Sequence, residues 1–477
     1  MKNRILLVTV ALLSLTAMAY ARGTQQTGSS GVPTFEWWLT GDPPPNLAEG
    51  QKVISDYTES KIGVRVEFKW FGWGDSSTRQ TTMINSGEYW DVWSLLGPNY
   101  YDWSRRGVFA DITDSLPKHP GLTQIIPQAL WDGFKINGRI YAVPTYKDSA
   151  AAHYVMWDEA LVRKYNINVN SMKTMADYDK ALRAIKAGEG TRYYPIHAAK
   201  TEPTGRFLYM LDYDQSFGMS IIGVKFSDPN MRVVNMLEDP EFVEYLRYFY
   251  RWYQDGIINP DAPVLDQAPI NAAVGLGQGW TLAWDDGWAK NQGWEHATSN
   301  LEYGPVYTTE TILAYNAMSA NSRNVEAALK FLELANTDRK LRDMLAYGIE
   351  GDDFEYVTPT TIKKNPRNTW SMAAYQQATF FIMSTPDGSP NPWDEVRQLN
   401  DQAKASTIFG FAFDRTPIQN EFANCTVVWD RFAAELFTGA ANPDMTVPQA
   451  LAELKANGFD RIIAEAQRQI DAWRRTR

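Results

Sequence analysis

Three short runs near the start of the chain alternate in polarity, and helical stretches separate them. Phe35, Trp37 and Leu39 share one face of 34–39, and Val64, Val66, Phe68 and Trp70 alternate strictly. Asp91 to Leu96 is a third, more apolar run. Gly41-Asp42-Pro43-Pro44-Pro45 stops the first run; Leu47, Val53, Ile54 and Tyr57 then recur near helical spacing. A second helix is predicted over 78–86. Strand, helix, strand, helix, strand predicts a parallel sheet covered by helices, an α/β fold. Ligands of such sheets bind beyond the carboxyl ends of the strands. That edge holds Trp38, Thr40 and Asp42 after the first strand, and Trp73 and Asp75 after the second. Trp93 and Asn99 stand at or after the third.

Farther along, Asn137-Gly138 marks a tight turn, and Pro144 favours extended chain before it. The texture then becomes more helical. A helix over 241–254 has Asp239 as cap, Pro240 at its first position and Gly256 as its stop. Val325, Ala328, Leu329, Leu332 and Ala335 predict another over 324–336, with a short successor over 337–346. Leu451 and Leu454, then Ile462, Ile463, Ala466, Ile470 and Trp473 beyond Gly458, predict a helical end.

Lys2 and Arg4, the apolar run from Ile5 to Met18 and the small-residue exits Ala17-Met18-Ala19 and Ala19-Tyr20-Ala21 predict a secretory signal over 1–21. The apolar run is shorter than the ~20 residues of a membrane span. Residues 22–32 read as a flexible polar leader. No cysteine stands at the exit to take a lipid, so a free periplasmic protein is expected. The single cysteine, Cys425, excludes an internal disulfide framework. A net charge of −10 argues against nucleic acid as partner. With 18 Trp and 24 Tyr, many in Gly/Asp-rich stretches, the loops offer flat rings with a polar edge. Trp37, Trp38, Trp73, Trp103, Trp280, Trp284, Trp288 and Trp294, taken as a set, read as contact surface for a ligand.

Four ordered segments carry a family resemblance: Asp91-Val92 with Gly107-Val108-Phe109-Ala110-Asp111-Ile112-Thr113; Asn137-Gly138-Arg139-Ile140-Tyr141-Ala142-Val143-Pro144; Tyr253 to Asp261 followed by Gly275 to Trp284; and Asn324 to Phe331. Together they resemble family 1 extracellular solute-binding proteins of ABC importers. Tyr347 to Gly351, Gly410 to Asp414, and Gly458 through Trp473 resemble the LipO-like members, which carry a C-terminal extension. The resemblance implies a type II periplasmic binding protein fold, two α/β lobes joined by crossing hinge segments. Residues 33–145 plus 306–350 would form the N-terminal lobe, and 146–305 plus 351–477 the other. It implies a monomer, a membrane permease and its ATPase as partners, no cofactor or metal, and no catalysis. Tyr146, Lys147 and Asp148 after the hinge proline would face the cleft. Trp284 and Asp285 lie where the family places a stacking aromatic, and Tyr307 stands at the second crossing.

Rings for sugar faces and Asp, Asn and Lys for hydroxyl edges favour a carbohydrate, and an oligosaccharide in view of the aromatics available. A peptide or amino-acid derivative is the alternative ligand; it would call for clustered Arg and Asp. A glycoside hydrolase is the alternative of another class, with Asp285-Asp286 as an imaginable acid pair. His119, His153, His197 and His296 are too dispersed for a metal motif.

Overall fold

The computed structural model describes residues 31–97, 99–200, 207, 210–309, 312 and 314–475, so the expected signal segment and most of the leader lie outside the described residues. The first lobe holds β1 (Thr34–Thr40), β2 (Arg65–Phe71), β3 (Val92–Leu96) and β4 (Ala142–Pro144). The chain crosses at 145–150 into β5 (Ala151–Asp158). It then forms β6 (Tyr213–Asp214), β7 (Ile222–Lys225), β8 (Val233–Asn235), β9 (Val274–Gln278) and the long β10 (Ala297–Tyr307). Beyond Tyr307 it returns to the first lobe as β11 (Ala314–Met318). The last strands are β12 (Phe354–Thr358), β13 (Thr361–Lys364), β14 (Thr385–Pro386) and β15 (Lys404–Ala405).

The first sheet runs β2-β1-β3-β11-β4. β1 pairs in parallel with β2 and β3, as the alternating runs predict. β11 enters from the other lobe and lies antiparallel between β3 and β4. Phe35, Trp37 and Leu39 are buried; removing an aliphatic or aromatic side chain of this size from water is worth roughly 1.5–3 kcal/mol. Trp37 Nε1 donates to Asn316 Oδ1 of β11 at 2.9 Å, which ties the returning strand to the first.

The second sheet runs β15-β10-β5-β9, with β5 antiparallel to both β9 and β10. Its two faces follow the strand period of two. Val155 and Trp157 point into the large core of the second lobe, while Ala152, Tyr154 and Met156 pack with Trp284 and Trp294 on the other face. The capped helix forms as Pro240–Gln254, and the Asp239 side chain accepts from Glu241 N. The C-terminal helices are Gln419–Thr438, Pro443–Ala456 and Phe459–Arg474, all packed on the second core.

Residues 351–381, grouped with the second lobe by the sequence, contribute Trp370, Met372 and Ala378 to the first core. The fully buried guanidinium of Arg342 holds this segment, donating to Thr379 O at 2.7 Å, Gln377 Oε1 at 2.7 Å and Ala374 O at 3.1 Å. The chain then passes through the helix Pro392–Gln402 to β15, which pairs with β10.

Among the described residues three passages run between the lobes, and one residue, Asn400, joins them. Asn400, 3% exposed, donates from Nδ2 to Lys147 O at 2.6 Å and accepts from Ala150 N at Oδ1 at 3.0 Å. Its own carbonyl accepts from the Tyr307 hydroxyl at 2.9 Å. Replacing Asn400 by Leu strands the buried Ala150 N, at a cost of about 1–3 kcal/mol, while Lys147 O keeps its bond from Ser149 N at 2.9 Å. Urea denaturation of Asn400→Leu is therefore expected to show a loss of roughly 1–3 kcal/mol.

Candidate ligand-binding cleft

A cavity of about 1310 Å³ lies between the lobes. Leu96, Gly97, Tyr101 and Arg105 line it from the first lobe, beyond the carboxyl end of β3, and Lys147 and Thr308 from the crossings. The second lobe supplies its floor: His153 of β5, Asp214 of β6, Phe226 beyond β7 and Tyr303 of β10.

The floor depends on irregular pairing in β10. Its register with β5 shifts on either side of Tyr303. Gly304 follows with φ +93°, and an ideal Cβ there would come within 2.1 Å of the Ala151 carbonyl oxygen. Only glycine lets the two strands approach so closely. The bulge leaves the Tyr303 ring 6.1 Å from the His153 ring and 5.7 Å from that of Phe226.

Two polar atoms in this floor lack partners among the described residues: the Tyr303 hydroxyl and Oδ2 of Asp214. Buried polar atoms are rarely left so. Asp214 is 1% exposed. Its Oδ1 accepts from Ser216 N at 3.0 Å and Ser216 Oγ at 2.6 Å. Burial raises its pKa above the ordinary carboxylate value, and the polar influence of Ser216 and Ser406 only partly offsets this. Burial, with the charges of Asp212 and Asp214, raises the Tyr303 pKa too, so the phenol stays a protonated donor.

Of the side chains singled out in the sequence, Lys147 lines this cavity, with Nζ 2.8 Å from Asp148 Oδ1. Asp148 is half-buried beside it, and its carbonyl accepts from Gln278 Nε2 at 3.2 Å. Several others are core. Trp93 is fully buried, 3.7 Å from Trp90 in a parallel stack. Trp38 stacks on Phe71 at 4.8 Å under the Arg79 guanidinium. Trp284 fills the space above Gly277 and Gly279, and Tyr146 packs on Phe381 at 4.3 Å. Tyr307 is buried at the hinge. Trp37, Trp103 and Trp294 are likewise interior. Thr40 is half-buried, its backbone bonded both ways to the Gln376 amide. Asp42 and Asp75 are exposed, Asn99 opens the helix Asn99–Arg105, and Trp73 is 55% exposed beside Gly41. The side chain of Asp285 lies outside the described residues.

Asp214 and Tyr303 went unread because neither follows a strand legible from alternation. The signal that could have found them is local: Asp212-Tyr213-Asp214-Gln215-Ser216 and Tyr303-Gly304-Pro305 each set an aromatic beside a turn former.

Two α/β lobes, three crossings and a polar cavity between them define a two-lobed solute-binding protein. The chain belongs to the bacterial extracellular solute-binding protein family, whose model matches residues 52–361; residues 407–475 match a domain of unknown function, DUF3502. It is thus a solute-binding component of ABC transport and not an enzyme. A carbohydrate ABC transporter substrate-binding protein of Streptococcus pneumoniae serotype 4 is 24% identical over 93% of this chain and 92% of its own length. The lipoprotein LipO of Bacillus subtilis is 19% identical over 73% and 72%. The crystal structure of the N-glycan transport solute-binding protein NgtS from Streptococcus pneumoniae superposes with a TM-score of 0.83 at 22% identity, covering 92% of this chain and 98% of that one. NgtS is also known in complex with Man5GlcNAc and with Man1GlcNAc, at TM-scores of 0.74 and 0.77.

A raised native pKa means that Asp214 favours the fold fully below its unfolded value, near 3.8, and loses that contribution as pH rises through the native value. Asp214→Asn is thus expected to be at least as stable as the parent at pH 7. The difference should shrink as pH falls toward 4, as read by urea denaturation at both pH values.

Proposed function

We propose that the chain captures an oligosaccharide outside the cytoplasm and delivers it to a membrane permease driven by an ATPase. One observation carries this reading: a large cavity between two lobes whose floor sets unpartnered hydrogen-bonding atoms, Tyr303 Oη and Asp214 Oδ2, among aromatic rings. A sugar hydroxyl that accepts from the phenol and donates to the carboxylate meets both needs. The neighbouring rings suit the apolar face of a pyranose. The size of the cavity supports a ligand of several sugar units, and the carbohydrate relatives support the class.

Closure of the lobes about the three crossings would strip water from these contacts and present one closed shape to the permease. Lys147 and Asp148 sit on the first crossing at the cavity edge, where closure would bring them toward bound sugar. Trp73 and Asp42, exposed beyond the first two strands, would extend the surface for a long ligand.

Titration calorimetry with Man5GlcNAc, Man1GlcNAc, kestose and fructo-nystose tests this, with short peptides as the contrast. Binding to the native state adds about 2.7 kcal/mol at 100 times the dissociation constant, so thermal midpoints must rise with it. Tyr303→Phe removes only the hydroxyl and is expected to weaken sugar binding by about 1–3 kcal/mol while leaving the unliganded midpoint unchanged or slightly raised. Binding of peptides alone would overturn the carbohydrate assignment.

A further inference from the structure

We propose that the C-terminal domain, residues 407–475, supplies a second sugar subsite and so sets the length of oligosaccharide that the cleft holds. The proposal rests on the oligosaccharide reading above. It gives a binding role to a domain whose family description states none.

The domain is built into the cavity wall. Phe411, Phe413, Arg415 and Gln419 all line the cavity. The loop that carries them is shared between the lobes. Ile408 and Phe411 belong to the second core, whereas Phe409 belongs to the first. Gly410 N donates to Thr309 Oγ1 at 2.9 Å, beside the second crossing. Arg105 of the first lobe donates from Nη2 to Ala412 O at 2.9 Å, bridging the cleft at this end.

The last helix fixes the loop's shape. The Gln469 amide accepts from Asp414 N at 2.9 Å and donates to Asp414 O at 2.7 Å, clamping one residue from both sides. Trp473 packs its ring 5.6 Å from that of Phe411. Asp414 in turn accepts from Thr416 N at 3.0 Å, which turns the chain and aims Arg415. Gln469 is therefore a positioning residue, and the helix Phe459–Arg474 acts on the cleft through it.

What the loop presents has the chemistry of a sugar contact. The half-buried Phe413 ring is steadied by Phe217 at 5.8 Å and Phe422 at 6.5 Å. The Arg415 guanidinium lies over Phe422 at 5.0 Å and beside Gly218, which has no side chain to displace it. Among the described residues no carboxylate pairs with Arg415. Its donors, with the Gln419 amide, remain available to hydroxyl oxygens. An aromatic plate with guanidinium and amide at its edge repeats, at the wall, the pattern of ring and hydrogen-bonding group found at the Tyr303 floor. One sugar unit would be anchored at the floor and a remote unit of the same chain would lie on Phe413.

Affinities of Man5GlcNAc and fructo-nystose, against those of Man1GlcNAc and kestose, test this by calorimetry on the full chain. Arg415→Ala changes an exposed residue and leaves the core intact. It is expected to weaken the two long ligands about tenfold and the two short ones less than about twofold. Phe413→Ala should give the same split, and Gln469→Ala a smaller split of the same sign. Tyr303→Phe should weaken long and short ligands alike. Unchanged affinity for the long ligands in both Arg415→Ala and Phe413→Ala, or equal loss for long and short, would overturn the subsite and leave the receptor reading standing. Failure of the unaltered protein to bind any of the four would overturn the oligosaccharide reading and the subsite with it.

Discussion

The Asn400 amide is the point at which the two lobes become one molecule. Its side chain meets the backbone of the first crossing at Lys147 and Ala150, and its carbonyl receives the hydroxyl of Tyr307 at the end of β10. The bonds to Ala150 N and from the Tyr307 hydroxyl are buried, so neither can exchange its partner for water without a cost comparable to a lost hydrogen bond. The crossings are thereby held in register with one another while the lobes at either end keep separate cores. A hinge built this way bends as a unit, because a movement of one crossing that leaves the others behind breaks the shared contacts. The cleft opens beside that hinge, and Lys147 belongs both to the hinge and to the cavity wall.

From the hinge, order passes to the floor through β5 and β10. β5 begins directly after the first crossing, and β10 ends directly before the second. A regular ladder would send alternate residues of β10 to opposite faces and would leave no irregularity to exploit. The shift at Tyr303 and the close approach at Gly304 break that rule locally. Tyr303 is set in the cavity wall by a defect that only glycine permits. The Asp214 carboxyl has a similar history. Its cost as a buried acid is only partly met by Ser216, and Oδ2 is left without a partner among the described residues in a side chain that lines the cavity. Both features cost the protein some stability, because a buried polar atom without a partner is unfavourable.

The sequence disclosed those parts of the fold in which burial is one-sided. β2 alternates because one face meets the core, and the helix Pro240–Gln254 announces itself through Asp239 and Pro240. β11 is hidden because all five of its residues are buried, so no alternation marks it. The helix Gln419–Thr438 buries Phe422, Cys425, Trp429, Phe432 and Leu436, but the polar Asn424-Cys425-Thr426 interrupts the pattern. The tryptophans were harder. A large ring in a Gly/Asp-rich stretch reads the same whether it meets ligand or plugs a core. Trp284 plugs one because Gly277 and Gly279 leave it room, and Trp93 because Trp90 lies parallel to it. Such complementarity between residues in different elements leaves no local trace. Of the parallel strands, the cavity meets only the carboxyl end of β3, at Leu96 and Gly97, and its floor is made by the other lobe.

The C-terminal domain shows how a late segment can alter a site formed by the rest of the chain. Among the described residues, the first 406 already contain all four sheets, the three crossings and the floor of the cavity. The final helices add bulk to the second core, and bulk alone would require no particular loop at the cleft. Yet Gln469 spends both ends of its amide on one residue of that loop, and Arg105 reaches from the opposite lobe to the neighbouring carbonyl at Ala412. A segment needed only for packing does not need its backbone fixed at both faces. Fixing the loop lowers the entropy that a ligand must otherwise remove on binding. The loop is therefore organised before ligand arrives, and the last helix is the part of the chain that organises it.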